Sequence, residues 1–176
     1  MIFNQTPIED VYIIKPDRHD DDRGSFIQTF DKNEFFHQYI NFNIVQTSLS
    51  TNKEKGTLRG MHFQDIPYQE EKIVQCINGS IYDVVLDLRD YSKTYDKWFA
   101  FNLTDTNNLI LYIPIGVAHG FQTLEDNTTV LYYMNTEYHP ECAKTIKYND
   151  KRYNISWKLP ITNISEKDNI THKSNL

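Results

Sequence analysis

Short apolar or alternating runs, separated by turn residues, recur along most of this 176-residue chain. Val11–Ile14 reads as a short apolar strand that Pro16 ends. Asp20-Asp21-Asp22-Arg23-Gly24 reads as a turn, and Ser25–Phe30 as the strand after it. Asp31 is placed to cap a helix through Asn33–Tyr39, because its side-chain oxygen can accept from the first free backbone N–H groups. Ile44–Ser50 alternates and reads as a strand, followed by a polar turn over Thr51–Gly56. Glu71–Asn78 and Ser80–Leu88 predict a hairpin around Asn78-Gly79, a dipeptide that tolerates positive φ. Trp98–Leu103, Asn108–Ile113, Gly120–Leu124 and Thr128–Asn135 continue the series, with Pro114-Ile115-Gly116 as a turn. Ile146–Asn149 is a further candidate strand, and a short helix is expected near Ser165–Ile170. Strands this short and closely spaced indicate an all-β sandwich or barrel and not an alternating α/β fold.

No repeat, linker or internal boundary interrupts the pattern, so one domain over 1–176 is expected, long enough to bury a proper core. The abundance of aromatics (12 Tyr, 10 Phe, 2 Trp) suits packed sheets. A net charge of −6 argues against nucleic acid as a partner, yet a local Arg/Lys cluster can still take an anionic small substrate. Cys76 and Cys142 are too few for a disulfide framework and read as thiols. No apolar run approaches the roughly 18–20 residues of a membrane span, and the first residues lack the basic and apolar regions of a secretion signal. A cytoplasmic protein without a membrane partner is therefore expected.

The candidate chemistry centres on Gly56-Thr57-Leu58-Arg59-Gly60-Met61-His62-Phe63-Gln64. In a regular strand the odd spacing would turn Arg59 and His62 to opposite faces. Gly60 can supply a bulge that re-aims one of them. Of six histidines, His62 and His119 stand among apolar residues and glycines. Each taken alone is equally readable as a core histidine satisfied by hydrogen bonds. Lys72 can be a charge that blunts a strand edge. Tyr132 and Tyr133 should face opposite ways, and packing is the default role of a strand Tyr. Pro114-x-Gly116-x-x-His119 resembles one metal motif of cupins, but the other would need a second His where Gln64 stands. No metal is expected.

Order and spacing carry a further resemblance. Asp21-Asp22-Arg23-Gly24-x-Phe26, Val45-Gln46, Gly56-x-Leu58-Arg59-Gly60-x-His62-Phe63-Gln64 and Lys72-x-Val74-x-Cys76-x-x-Gly79 come first. Tyr82-Asp83-Val84, Asp87-x-Arg89, Ser92-x-Thr94, Lys97-Trp98, Ile113-Pro114-x-Gly116-x-Ala118-His119-Gly120-Phe121, Leu131-Tyr132 and Ser165-x-Lys167-Asp168 follow. Together, from about Val11 to Asp168, the chain resembles the dTDP-4-dehydrorhamnose 3,5-epimerase family. The resemblance implies a double-stranded β-helix (a cupin-like jelly roll) with short flanking helices, forming a homodimer, with no metal and no cofactor. It implies inversion of C3 and/or C5 of a nucleotide-diphosphate-linked 4-keto-6-deoxy sugar. His62 then matches the base, Asp168 the carboxylate that holds it, Lys72 the cation near the C4 oxygen, and Tyr132 the acid on the opposite face. Arg23 and Arg59 match diphosphate contacts. Phe26, Gln28, Gln46, Ser48, His119 and Tyr138 match further substrate-binding positions.

The chain departs from the family pattern where Glu is replaced by Gln28, Asn by Ser48, and Lys by Tyr133. The Glu contacts the nucleotide base in the resembling enzymes. An amide can both donate and accept, so Gln28 admits thymine and also cytosine. A single-centre epimerase on a CDP-linked sugar is thus an open alternative, beside a non-enzymatic binding module on the same scaffold.

Overall fold

The computed structural model describes residues 1–169. Its elements are, in chain order, β1 (Ile2–Gln5), β2 (Tyr12–Lys15), β3 (Arg18–Asp21), β4 (Gly24–Ile27), α1 (Lys32–His37), β5 (Gln46–Asn52) and β6 (Thr57–Gln64). Then come β7 (Lys72–Asn78), β8 (Ser80–Asp87), β9 (Trp98–Thr104), β10 (Ile110–Ile113), β11 (Val117–Thr123) and β12 (Thr128–Met134). β13 (Ala143–Thr145), β14 (Asn163–Ile164) and α2 (Glu166–Asn169) complete the described chain. The strands form two facing sheets of a jelly roll, ordered β1-β2-β10-β7-β12-β5 and β13-β6-β11-β8-β9, with β14 added beside β6. β3 and β4 pair only with each other, as a separate hairpin.

The core between the sheets draws Val74, Cys76, Leu111 and Val130 from the first and Ile81, Val85, Leu103 and Phe121 from the second. Each sheet is also covered outside. Phe35 of α1 and Phe42 close over Ile14, Ile73, Ile110 and Tyr112. Ile155, Tyr153 and Trp157 close over Met61, Val84, Leu86 and Ala118. Strands buried on both faces read as continuous apolar runs, which is why β10 and much of β8 lack alternation.

This double burial also explains the main departure from the sequence reading. β7 and β8 do not form a hairpin. They lie in different sheets, β7 between β10 and β12, β8 between β11 and β9. Gly79 (φ 79°) turns the chain from one sheet to the other, where a Cβ would come within 2.6 Å of Thr128 Oγ1. A turn dipeptide reports that the chain bends; it does not report which sheet receives it.

Other differences are local. Asp20 and Asp21, read as turn residues, belong to β3. The expected strand at Ile146–Asn149 is replaced by β13 just before it, although Ile146 still exchanges backbone hydrogen bonds with Met61 (2.9 and 3.2 Å). β1 and β14 carry no strand signal that the sequence reading used. The cap on α1 forms as expected: Asp31 accepts from the N–H groups of Asn33 (2.8 Å) and Glu34 (3.1 Å). Of the expected C-terminal helix, residues 166–169 are helical, while Ile170 and also His172 lie outside the described residues.

Candidate active site

The register of β6 against β11 pairs His62 with His119, and then Arg59 with Phe121. Two residues on β6, Gly60 and Met61, thus oppose the single Gly120 on β11, which is a bulge. His119 and Phe121 are two apart and share a face, so the bulge turns Arg59 and His62 to that same inner face. Only glycines fit here. A Cβ on Gly60 (φ 120°) would lie 2.5 Å from the Gly120 Cα, and one on Gly120 2.8 Å from the Arg59 carbonyl oxygen.

The bulge also presents a backbone N–H. Gly60 N–H donates to Asp168 Oδ2 (3.3 Å), while Oδ1 lies 2.6 Å from His62 Nε2. Asp168 reaches this point because β14 pairs in parallel with Thr57 and Leu58, setting α2 against β6. Its own N–H is held by Ser165 Oγ (3.1 Å). Burial by itself would raise the Asp168 carboxyl. The His62 hydrogen bond and charge, with the Gly60 and Ser165 contacts, outweigh it and hold the group below its ordinary value. Asp168 is thus a buried anion, and His62 keeps 39% of its side chain exposed. An anion at Nε2 favours the proton there and leaves Nδ1 free to act as a base.

The opposing wall comes from the first sheet. Lys72 opens β7 and its Nζ donates to Glu70 Oε1 (2.5 Å). Tyr132 on β12 packs with the inner core, whereas Tyr133 packs with the outer cluster and meets Thr29 Oγ1 at 2.9 Å. The two tyrosines face opposite ways, as alternation requires. Burial pushes the Tyr132 hydroxyl well above the ordinary phenol value, with the Asp83 charge adding and Arg59 opposing. His119 is buried, with Nε2 at 2.9 and 3.0 Å from the two Asp83 oxygens and its ring edge-on to Tyr132 at 5.9 Å. Burial raises Asp83 against the opposing pull of His119. His119 therefore has the bonding of a satisfied core histidine while standing beside Tyr132.

His62, Lys72, Tyr132, Gln46 and Tyr138 line one cavity of about 220 Å³. Glu70, Lys144 and Lys167 line it too, and sequence reasoning missed them. Glu70 had one available signal, a carboxylate two residues before Lys72 at the entry to β7. Lys167 donates to the Tyr138 hydroxyl (3.2 Å) and had the signal of standing beside Asp168.

Other expected site residues do not line this cavity. Arg59 is exposed, with Nε on Asn52 Oδ1 (2.8 Å), and Ser48 is exposed on β5 opposite Tyr132. Arg23 (90% exposed side chain) and Phe26 (73%) ride on the separate β3–β4 hairpin and line a different hollow of about 210 Å³. Gln28 follows this hairpin and donates from Nε2 to Asp31 Oδ2 (3.0 Å). One chain alone does not bring Arg23, Phe26 and Gln28 into the His62 cavity. Among the described residues no three His, Cys, Asp or Glu side chains gather as a metal would need. Gln64, at the position where a metal cupin would carry His, instead clamps the backbone of Tyr68, Glu137 and His139.

Comparison with known proteins gives this geometry its context. The family model described as dTDP-4-dehydrorhamnose 3,5-epimerase matches residues 5–175. A dTDP-4-dehydrorhamnose 3,5-epimerase of Sinorhizobium fredii is 36% identical over 169 residues, covering 96% of this chain and 87% of the relative. The crystal structure of the Bacillus anthracis epimerase with TDP and PPi bound superposes with a TM-score of 0.91 at 35% identity, covering 96% and 97% of the two chains. A 3'-monoepimerase from Streptomyces bikiniensis in complex with dTDP-quinovose superposes at 0.86 with 27% identity, covering 93% and 83%. With its bulged β6, its buried Asp168 and a family match over nearly its full length, the chain belongs to the dTDP-4-dehydrorhamnose 3,5-epimerase family.

Proposed function

We propose that the protein epimerises a dTDP-linked 4-keto-6-deoxy sugar at C3, C5 or both, in deoxysugar biosynthesis. The observation that carries this reading is one cavity holding His62 backed by a buried carboxylate, a cation (Lys72) and a protonated phenol (Tyr132). A proton beside a ketone is weakly acidic until the developing enolate is stabilised. His62 Nδ1 takes the C3 or C5 proton, and the electron pair moves onto the C4 oxygen. Lys72 Nζ donates to that oxygen, a stabilisation worth about 3–4 kcal/mol for one well-placed donor in a water-poor site. Asp168 stabilises the imidazolium that forms. Tyr132 then delivers a proton to the opposite face of the carbon as the ketone re-forms, and solvent exchange resets His62 and Tyr132. A phenol raised well above its ordinary value is protonated at neutral pH, as an acid in this step must be.

Gln28 bears on the nucleotide. Asp31 can only accept, so the Gln28 amide must present its NH2 to it and keeps Oε1 free. A free acceptor suits thymine N3–H but equally the cytosine N4 amine, so Gln28 admits both bases and the preference for dTDP over CDP rests on the relatives that bind TDP or a dTDP-sugar. Calorimetry with dTDP and CDP tests this, and a clear preference for CDP would overturn it. Arg23 and Arg59 would take the diphosphate by bidentate bonds. Because Arg23 and Phe26 stand away from their own cavity, we assign their substrate contacts to a homodimer in which the hairpin of a second copy supplies them. Exposed Ile44, Val45 and Leu49 along the β5 edge support such a pairing. A cytoplasmic location belongs to the same proposal and fits two unpaired buried thiols.

The decisive experiment is incubation with dTDP-4-keto-6-deoxyglucose in D2O, followed by mass spectrometry and NMR. Deuterium at C3 or C5 with inversion is expected, and absence of label at both overturns the reading. The likeness to a 3'-monoepimerase supports single-centre inversion as the second reading, and one label instead of two distinguishes it.

A further inference from the structure

Glu70 lines the reaction cavity, and the mechanism above gives it no task. Its side chain is only 12% exposed and that of Lys72 only 10%. A carboxylate so enclosed needs a partner, and Lys72 Nζ at 2.5 Å is the one it has among the described residues. The next residue explains its direction. Glu71 points to the other side of the sheet, where Tyr112 donates to Oε1 and Asn135 Nδ2 to Oε2 (2.6 Å). The Glu71 N–H donates in return to Asn135 Oδ1 (2.7 Å). With Glu71 pinned outward, Glu70 in the stretch leading into β7 and Lys72 at its first position both face the cavity.

We propose that Glu70 is a positioning residue that holds the Lys72 ammonium at the place where the C4 oxygen develops its charge. The inference rests on the epimerase reading and adds to it the residue that aims the electrophile. A lysine carries its charge on a four-carbon flexible stem, so a free ammonium would sample many positions. It has three donors. Glu70 takes one, which fixes the nitrogen and leaves two for the substrate. The carboxylate also compensates the desolvation of the cation in the empty site, and the forming enolate shares that cation only as its own charge grows. Glu70 itself gains and loses no proton.

The test compares Glu70→Ala, Glu70→Gln, Lys72→Ala and the double variant Glu70→Ala/Lys72→Ala, with kcat and KM on the substrate, dTDP affinity and melting temperature for each. Misplacing a catalytic group by about an ångström costs about 100-fold, so Glu70→Ala should lose about 10- to 100-fold in kcat, with KM and dTDP affinity within twofold. Glu70→Gln keeps an acceptor oxygen at the same reach and should recover most of the loss. The double variant should be no slower than Lys72→Ala, because residues acting as a unit are non-additive. Unchanged kcat in Glu70→Ala, or a loss that adds in full to that of Lys72→Ala, overturns the inference while leaving the epimerase reading intact. Wild-type protein that incorporates no deuterium overturns both.

Discussion

His62 and Asp168 are 106 residues apart in sequence and 2.6 Å apart in space. Replacing His62 by Asn should cost about 10²–10⁴-fold in turnover, the range for one general base. Binding of dTDP should persist, and calorimetry on the variant checks this. Tyr132→Phe separates the two proton transfers. It should still wash deuterium into substrate through His62 while losing the inverted product, a split that NMR reads directly. The acid response follows from the two carboxylates. The value of Asp168 is lowered by folding, so its contribution is present above the unfolded value of about 3.9 and is lost as pH falls through the lower folded value. Asp83 is raised, so acidification relieves its burial and works in the opposite sense. Melting temperatures from pH 6 down to 3 should therefore fall less steeply for Asp168→Asn than for wild type.

At the scale of elements, the site depends on a single irregularity. The β6 bulge turns two side chains to one face and frees the Gly60 N–H for Asp168. Gly60→Ala places a methyl group against Gly120 at a positive φ, which costs about 1–3 kcal/mol. In a domain of this size each kcal/mol is about 2–4 °C, so a fall of roughly 2–12 °C is expected by calorimetry. Activity of the residual folded protein should fall as well, because the dyad hangs on the same turn. This device was legible in the sequence, since an odd Arg–His spacing across a glycine demands either opposite faces or a bulge. The partner strand of β7 was not legible. Asn78-Gly79 looks the same whether the chain folds back in its own sheet or crosses to the other, and strands buried on both faces remove the alternation that would decide. Glu70 was overlooked for a related reason. Next to Glu71 in sequence it reads as one charged pair, and only their partners, Lys72 for one and Tyr112 with Asn135 for the other, show that the two face opposite sides.

For the whole molecule, charge and assembly make separate predictions. The net charge is −6, yet Lys72, Lys144 and Lys167 line the cavity where a dianionic diphosphate must enter. Affinity for dTDP should fall as salt rises from low to about 0.5 M, since exposed charges are screened within about 10 Å at 0.1 M. Titration calorimetry at three salt concentrations checks it. Light scattering should give twice the chain mass, and substitution of Leu49 on the exposed β5 edge by Lys should shift that mass toward the monomer. If Arg23 and Phe26 of one copy serve the other, the Leu49 variant should also bind dTDP more weakly, although Leu49 itself does not line the cavity.

The separation of His62 from Asp168 has a consequence in time. A polypeptide emerges from the ribosome at about 5–20 residues per second, so the carboxylate is added roughly 5–20 s after the histidine it holds. Strands β1 to β12 can pair in that interval, before β13, β14 and α2 are added beside β6. The catalytic dyad therefore closes last, when α2 docks against β6.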